Sequence, residues 1–260
     1  MASNSPEPTQ PAEDNAANAA PPAPTESEPL LGRPGDATQK PGEPIIHNLW
    51  LGTGWLAQVG AIILVAIVWA GVFLHPTLPL VSPHPLLQSL GVFTVIQAIL
   101  LLQPTTTPET KALGQRGHAL LHILSFLLFV AGTAIIQVNK TVNRMPHFHS
   151  AHAYLGVATL ALLLLQYLFG LAIYVFPATV FGTVERGKSL WKYHRMAGYL
   201  LLALLLATVA AAAETDYNHA VLHVRLWGVL VAEVLVLAGV AARVHVGKMG
   251  FGSRGGTGRR

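Results

Sequence analysis

From about residue 47 onward the chain alternates between long apolar runs and short polar breaks. The runs lie at roughly 55–74, 84–102, 118–138, 151–176, 190–212 and 220–240. Each is about 18–26 residues, enough for an α-helix rising about 1.5 Å per residue to cross about 30 Å of hydrocarbon. The breaks at 104–108, 139–146, 177–188 and 214–218 hold Pro, Gly, Thr and charge. Lipid offers no partner to a backbone amide, so only helices or closed barrels span it. Runs this long and uniformly apolar predict helices. The expected fold is all-α: an integral membrane six-helix bundle. Residues 1–46 are rich in Pro, Ala, Ser, Glu and Asn without apolar periodicity. They read as a disordered tail, since they cannot bury enough surface to offset ordering. No apolar stretch lies near Met1, so no cleavable signal peptide is expected. The organisation is thus a tail at 1–46, a six-span domain at 47–243 and a basic tail at 244–260.

Composition supports the membrane reading: 52% of the 260 residues are hydrophobic and 11% charged, against about a quarter charged in soluble domains. Cysteine is absent, which excludes disulfides, thiolate metal sites, iron–sulfur clusters and thioether-linked haem. A redox metal here must rely on the 12 histidines, the few carboxylates or Met. The formal charge of +4 is modest and grouped at span ends. It reads as topology rather than as a nucleic-acid surface, and the lipid bilayer is the expected surrounding.

With the N-terminus in the cytosol, only Lys140, Arg144 and Arg225 fall on the opposite side; every other Lys and Arg is cytosolic. The positive-inside rule favours that orientation, with both termini cytosolic. Asn139-Lys140-Thr141 is an N-glycosylation sequon that would then sit in a lumenal loop. Glu26-Ser27-Glu28-Pro29-Leu30-Leu31 has the form of an acidic dileucine sorting signal, read from the cytosol. An endomembrane location (vacuole, lysosome or endosome) is expected rather than the plasma membrane.

Histidine carries the candidate chemistry, because an ionisable or ligating side chain near a span is costly. His84, His118, His152 and His194 each lie near the start of consecutive spans. Successive spans are antiparallel, so His84 can face His152 at the lumenal side and His118 can face His194 at the cytosolic side. A six-coordinate haem iron takes one imidazole above and one below its plane. Two pairs therefore predict two b-type haems held between the central four helices, where bundles build cofactor sites. Gly156 and Gly198 each fall four residues after a candidate ligand, on the same helix face, and leave room for a flat ring or for close helix packing. His122 shares the face of His118 and reads as its neighbour rather than the ligand. His147 and His149 belong to a loop. Glu233 sits within the sixth span.

The stretches His84-Pro-Leu-Leu-Gln-Ser, Gly117-His-Ala-Leu-Leu-His, Pro146-His-Phe-His-Ser-Ala-His-Ala-Tyr-Leu-Gly156 and Lys192-Tyr-His-Arg-Met-Ala-Gly198 resemble, in this order, the eukaryotic cytochrome b561 family. The likeness is to its short members without a DOMON domain and runs from about 55 to 240. The resemblance implies iron ligands at His84, His118, His152 and His194, paired as above. It also implies oxidoreductase activity, with electrons crossing from cytosolic ascorbate to a lumenal acceptor such as a ferric chelate or monodehydroascorbate. On that reading Lys111, Arg116 and Lys192 would hold haem propionates or guide an anionic, ascorbate-like reductant, with Arg116 the first choice. A homodimer is left open. Two other readings stand beside this one: a non-enzymatic haem-binding or structural bundle, and a di-iron membrane hydroxylase built on His118-x-x-x-His122 and His147-x-His149-x-x-His152.

Overall fold

The structure is a computed structural model and describes residues 37–40, 42–76 and 78–245. The dileucine motif and residues 246–260 of the basic tail lie outside the described residues. Among the described residues there is no strand and there are eight α-helices: α1 (Gly54–Phe73), α2 (Pro83–Leu102), α3 (Pro108–Val142), α4 (Ala151–Val175), α5 (Pro177–Phe181), α6 (Val184–Ser189), α7 (Trp191–Ala212) and α8 (Leu226–Ala241). α1 to α4 and the α6–α7 stretch Val184–Ala212 are long and apolar enough to cross a membrane, and α8 is a shorter apolar helix. The upper face of the bundle carries the α1–α2, α3–α4 and α7–α8 connections, and the lower face carries the others.

Three elements depart from the hydrophobic pattern. α3 is 35 residues long, not the stretch 118–138. Thr107 and Thr110 form a reciprocal capping box ahead of Pro108, so the polar lead-in joins the helix without being apolar. At its far end α3 runs on through Asn139. The sequon is therefore helical rather than a loop. Asn139 is buried, accepts from Asn143 Nδ2 at 2.9 Å and lies 3.8 Å from Met145 Sδ. The last helix starts at Leu226 and not at 220, because Asn218–Leu222 forms a π-helical turn ending at His223, which is left-handed at φ 53°. The Asn218 amide holds this turn, donating to the Ala213 and Val224 carbonyls at 2.7 and 2.9 Å and accepting from the Val224 N–H at 3.1 Å.

The third departure concerns the start of the fold. The boundary at 46/47 falls inside a 3-10 turn, Ile45–Leu49, and Ala37 and Gln39 are already buried. These residues close the lower end of α2, whose last carbonyls have no intrahelical donor. Asn48 Nδ2 donates to Leu101 O at 2.9 Å. Arg243 Nη2 donates to Leu100 O at 2.8 Å and to Asn48 O at 2.9 Å. Burial pushes the Arg243 guanidinium down to about 10, so it stays charged at neutral pH, and a cation at a helix C-terminus is favoured by the helix dipole.

α2 packs along α3, α1 along α8 and α2, and α4 along α7. Glycine allows a close approach of α1 and α8: a Cβ on Gly60 of α1 would lie 2.5 Å from the Ala232 carbonyl of α8. Val92, Ile96 and Leu100 of α2 form the centre of the core with Leu64, Leu206 and Val236. Leu120, Leu127, Leu165 and Leu200 point outward and are exposed, an arrangement that hydrocarbon surroundings favour and water does not.

Candidate metal centre

Local sequence places three of the four histidines in the first turn of their helices. Pro83 opens α2 directly before His84. Ser150 caps α4, its hydroxyl accepting from Ala153 N–H, and puts His152 in the first turn. His194 lies in the first turn of α7, and His118 stands deeper in α3 because that helix starts early.

A common register links the four positions. His84 and Ala98 are 14 residues apart on α2, as are His118 and Gly132 on α3, His152 and Gln166 on α4, and His194 and Thr208 on α7. Fourteen residues are close to four turns, so each pair shares a face and is separated by about 21 Å along the helix. Antiparallel packing brings these positions level across each helix pair. His84 Nδ1 meets Gly132 O at 2.9 Å, His118 Nδ1 meets Ala98 O at 2.9 Å, and His152 Nδ1 meets Thr208 O at 2.9 Å. At the fourth level the contact is different: Gln166 Nε2 donates to His194 O at 2.7 Å. A carbonyl oxygen only accepts, so Nδ1 of His84, His118 and His152 carries the proton. That leaves the Nε2 lone pair of each as a ligand atom.

At the upper face the rings of His84 and His152 stand 6.1 Å apart, centroid to centroid, at 79°. Two imidazoles on opposite sides of one metal, with metal–nitrogen bonds of about 2 Å, place their centroids about 6 Å apart. The pair borders a cavity of about 770 Å³, within the range of cofactor pockets. Gln88, Gly156, Thr159 and Thr208 line it too. A Cβ on Gly156 would touch only Thr208 Cγ2, at 3.9 Å, so this glycine does leave open space one turn from His152. The donor set, the spacing and the cavity fit a bis-imidazole haem.

At the lower face His118, His122 and His194 gather. The ring of His122 stands edge-on to His118 at 4.3 Å and beside Tyr167 at 5.1 Å. Tyr167 OH shares a hydrogen bond with Ser125 Oγ at 3.0 Å. His122 Nδ1 is buried without a partner, so His118 alone of these two has the carbonyl anchor of the upper pair. The His194 ring rests on Gly170, where a Cβ would come within 2.7 Å of Cε1, and lies 6.2 Å from Phe169. Its Nδ1 is also buried and unpartnered. The space beside Gly198 is taken by Gln166, whose Nε2 would be 3.2 Å from a Cβ there.

Lys111 and Arg116 are exposed in the first turns of α3. Lys111 precedes His118 by seven residues and shares its face. Arg116 precedes it by two, about 200° around the helix. Lys140, His147 and His149 border the upper cavity. The two histidine groups lie at opposite ends of α3, so the boxes of a di-iron hydroxylase do not converge. Gln88, Thr159 and Gln166 are functional candidates missed in the sequence. Their signal is a polar side chain one, two and four turns from a histidine within an apolar span.

The family described as eukaryotic cytochrome b561 matches residues 83–219, which takes in all four histidines. Among curated proteins, the lysosomal membrane ascorbate-dependent ferrireductase of Bos taurus is 27% identical over 130 residues, 49% of this chain and 48% of the relative. The transmembrane ascorbate ferrireductase 1 of Arabidopsis thaliana is 22% identical over 127 residues, 49% of this chain and 52% of the relative. The plasma membrane ascorbate-dependent reductase of Xenopus tropicalis is 27% identical over 128 residues, 48% of this chain and 44% of the relative. The chain spans about half the length of the curated relatives it matches.

Proposed function

Since this chain belongs to the eukaryotic cytochrome b561 family, we propose that it carries electrons across a membrane from cytosolic ascorbate to a lumenal acceptor such as a ferric chelate or monodehydroascorbate. The single observation that carries this reading is the opposed pair His84 and His152, 6.1 Å apart, with both Nδ1 atoms anchored on carbonyls. The names of the relatives supply the reductant and the ferric acceptor.

His84 and His152 would hold one haem b and His118 and His194 the other. Each haem, when bound, would supply an iron that changes by one electron. The protein's part is to fix the imidazoles and keep water away. Gly132, Ala98 and Thr208 set the tautomer and orientation of three rings through their carbonyls, which also makes those rings better donors. Phe129, Leu160, Leu163 and Leu205 form apolar wall around the upper site. The upper face is assigned to the lumen, with both termini cytosolic, because the described Lys and Arg fall mostly on the lower face. There Lys111 and Lys192 offer fixed charge to an anionic reductant or a propionate. Lys111 is better placed than Arg116, since it shares the face of His118. An endomembrane location is in keeping with the name of the bovine relative, while the Xenopus tropicalis relative of equal identity is named for the plasma membrane.

The test is reconstitution in sealed vesicles loaded with a ferric chelate, with ascorbate outside and lower faces outward. The reading expects reduced b-type absorption bands followed by ferrous iron inside. A purified chain that binds no haem overturns it.

A further inference from the structure

Three of the four candidate ligands donate Nδ1–H to the backbone carbonyl level with them on the neighbouring helix: Gly132, Ala98 and Thr208. The register predicts the same for His194, opposite position 166. Yet His194 Nδ1 is buried without a partner, and it is the Gln166 side chain that reaches across, with Nε2 on the His194 carbonyl at 2.7 Å. Gly198, one turn along α7, leaves the space that this amide fills. Gly170, one turn beyond Gln166 on α4, supports the His194 ring on the same side.

We infer that Gln166 is the positioning residue for His194: its amide supplies to this imidazole the acceptor that a backbone carbonyl supplies to the other three. The amide has two ends. Its nitrogen is committed to the His194 carbonyl, which fixes the side chain against the first turn of α7. Its oxygen is an acceptor carried by the same group, and the donor it would serve is the His194 Nδ1–H, which is buried without a partner. A buried N–H left without an acceptor in an apolar bundle is costly, which favours this closure. Because a side chain and not a helix backbone provides the acceptor, this is the ligand among the four whose hydrogen bond a single side-chain substitution can remove.

A stronger acceptor at Nδ1 makes an imidazole a better donor to iron, which favours the ferric state and lowers the midpoint potential; removing the acceptor does the reverse. The inference rests on the two-haem reading, so the wild-type chain is first shown to bind two haems; if it does not, that reading fails and not this one. Redox titration and low-temperature EPR are then run on Gln166→Glu and Gln166→Met. The expected result is a change in one haem only. Its midpoint rises in Gln166→Met, with a shifted low-spin EPR signal, and stays at the wild-type value in Gln166→Glu, whose carboxylic acid form still offers an O–H to the His194 carbonyl and a C=O to Nδ1–H, while the other haem keeps its wild-type values in both variants. Loss of one haem from Gln166→Met with retention in Gln166→Glu also supports the anchor. Any other pattern overturns it: a shift in both variants, no shift in either, or haem loss that includes Gln166→Glu, as a pure packing role would give.

Discussion

His84 and His152 face each other across the upper cavity with ring centroids 6.1 Å apart, although they belong to helices that share little other packing. Each ring is tied instead to its own antiparallel partner helix, His84 to Gly132 of α3 and His152 to Thr208 of α7. The bundle is thus two cross-tied pairs, α2 with α3 and α4 with α7, and the proposed ligands reach from one pair to the other. A group bound between them would join the two halves. Haem loading is therefore expected to raise thermal stability in detergent. Its removal is expected to lower it, as does loss of any ligand that binds only the folded state.

The lower end of α2 depends on residues far away in sequence. Asn48→Ala removes the donor to Leu101 O and Gln39 Oε1 and is expected to cost about 1–3 kcal/mol, the penalty of a buried unpaired carbonyl. Arg243→Met removes two charged-donor bonds and is expected to cost at least as much. Thermal unfolding followed by haem absorbance checks both. An unchanged midpoint in either variant means that the cap adds nothing.

Asn139 is expected to carry no glycan even if its side of the membrane is the lumen. Its side chain is buried in α3, and a helical, buried amide is not available to an acceptor site that needs an extended, accessible loop. Glycosidase treatment of protein expressed in eukaryotic cells should leave gel mobility unchanged. A mobility shift that Asn139→Gln abolishes would contradict the placement.

Lys111 and Arg116 can be separated by their helical angle. Lys111→Gln is expected to slow reduction by external ascorbate several-fold at low ionic strength, with the difference shrinking as salt screens it. Arg116→Gln is expected to have a smaller effect. Stopped-flow reduction of the haem bands at two salt concentrations decides between them. The reverse ranking would place the reductant on the Arg116 face.

Much of the bundle was legible in the sequence because its signals are carried by side chains. The apolar runs located most of the helices, and the order of the histidines on successive spans put His84 at the same face of the bundle as His152, which the structure brings to 6.1 Å. What could not be read was carried by backbone. The carbonyls of Ala98, Gly132 and Thr208 have no side-chain signature, and their role emerges only once the helices are packed in register. The polar start of α3 was hidden because helix propensity and capping do not need apolar residues. The turn at His223 was hidden because one buried asparagine, Asn218, overrides an otherwise apolar run. Gly198 was read as one of a pair with Gly156, yet it faces Gln166 and not an open cavity. A Gly four residues from a histidine gives no hint of what stands opposite.

The central claim is the pairing of the four histidines. It is tested most directly by haem stoichiometry and redox titration of His84→Ala, His152→Ala, His118→Ala and His194→Ala, each purified in full-length form. The account predicts that the first two variants lose one and the same haem, identified by its midpoint potential, and that the last two lose the other. Loss of the same haem from His84→Ala and His118→Ala, or retention of both haems in His152→Ala, would contradict it.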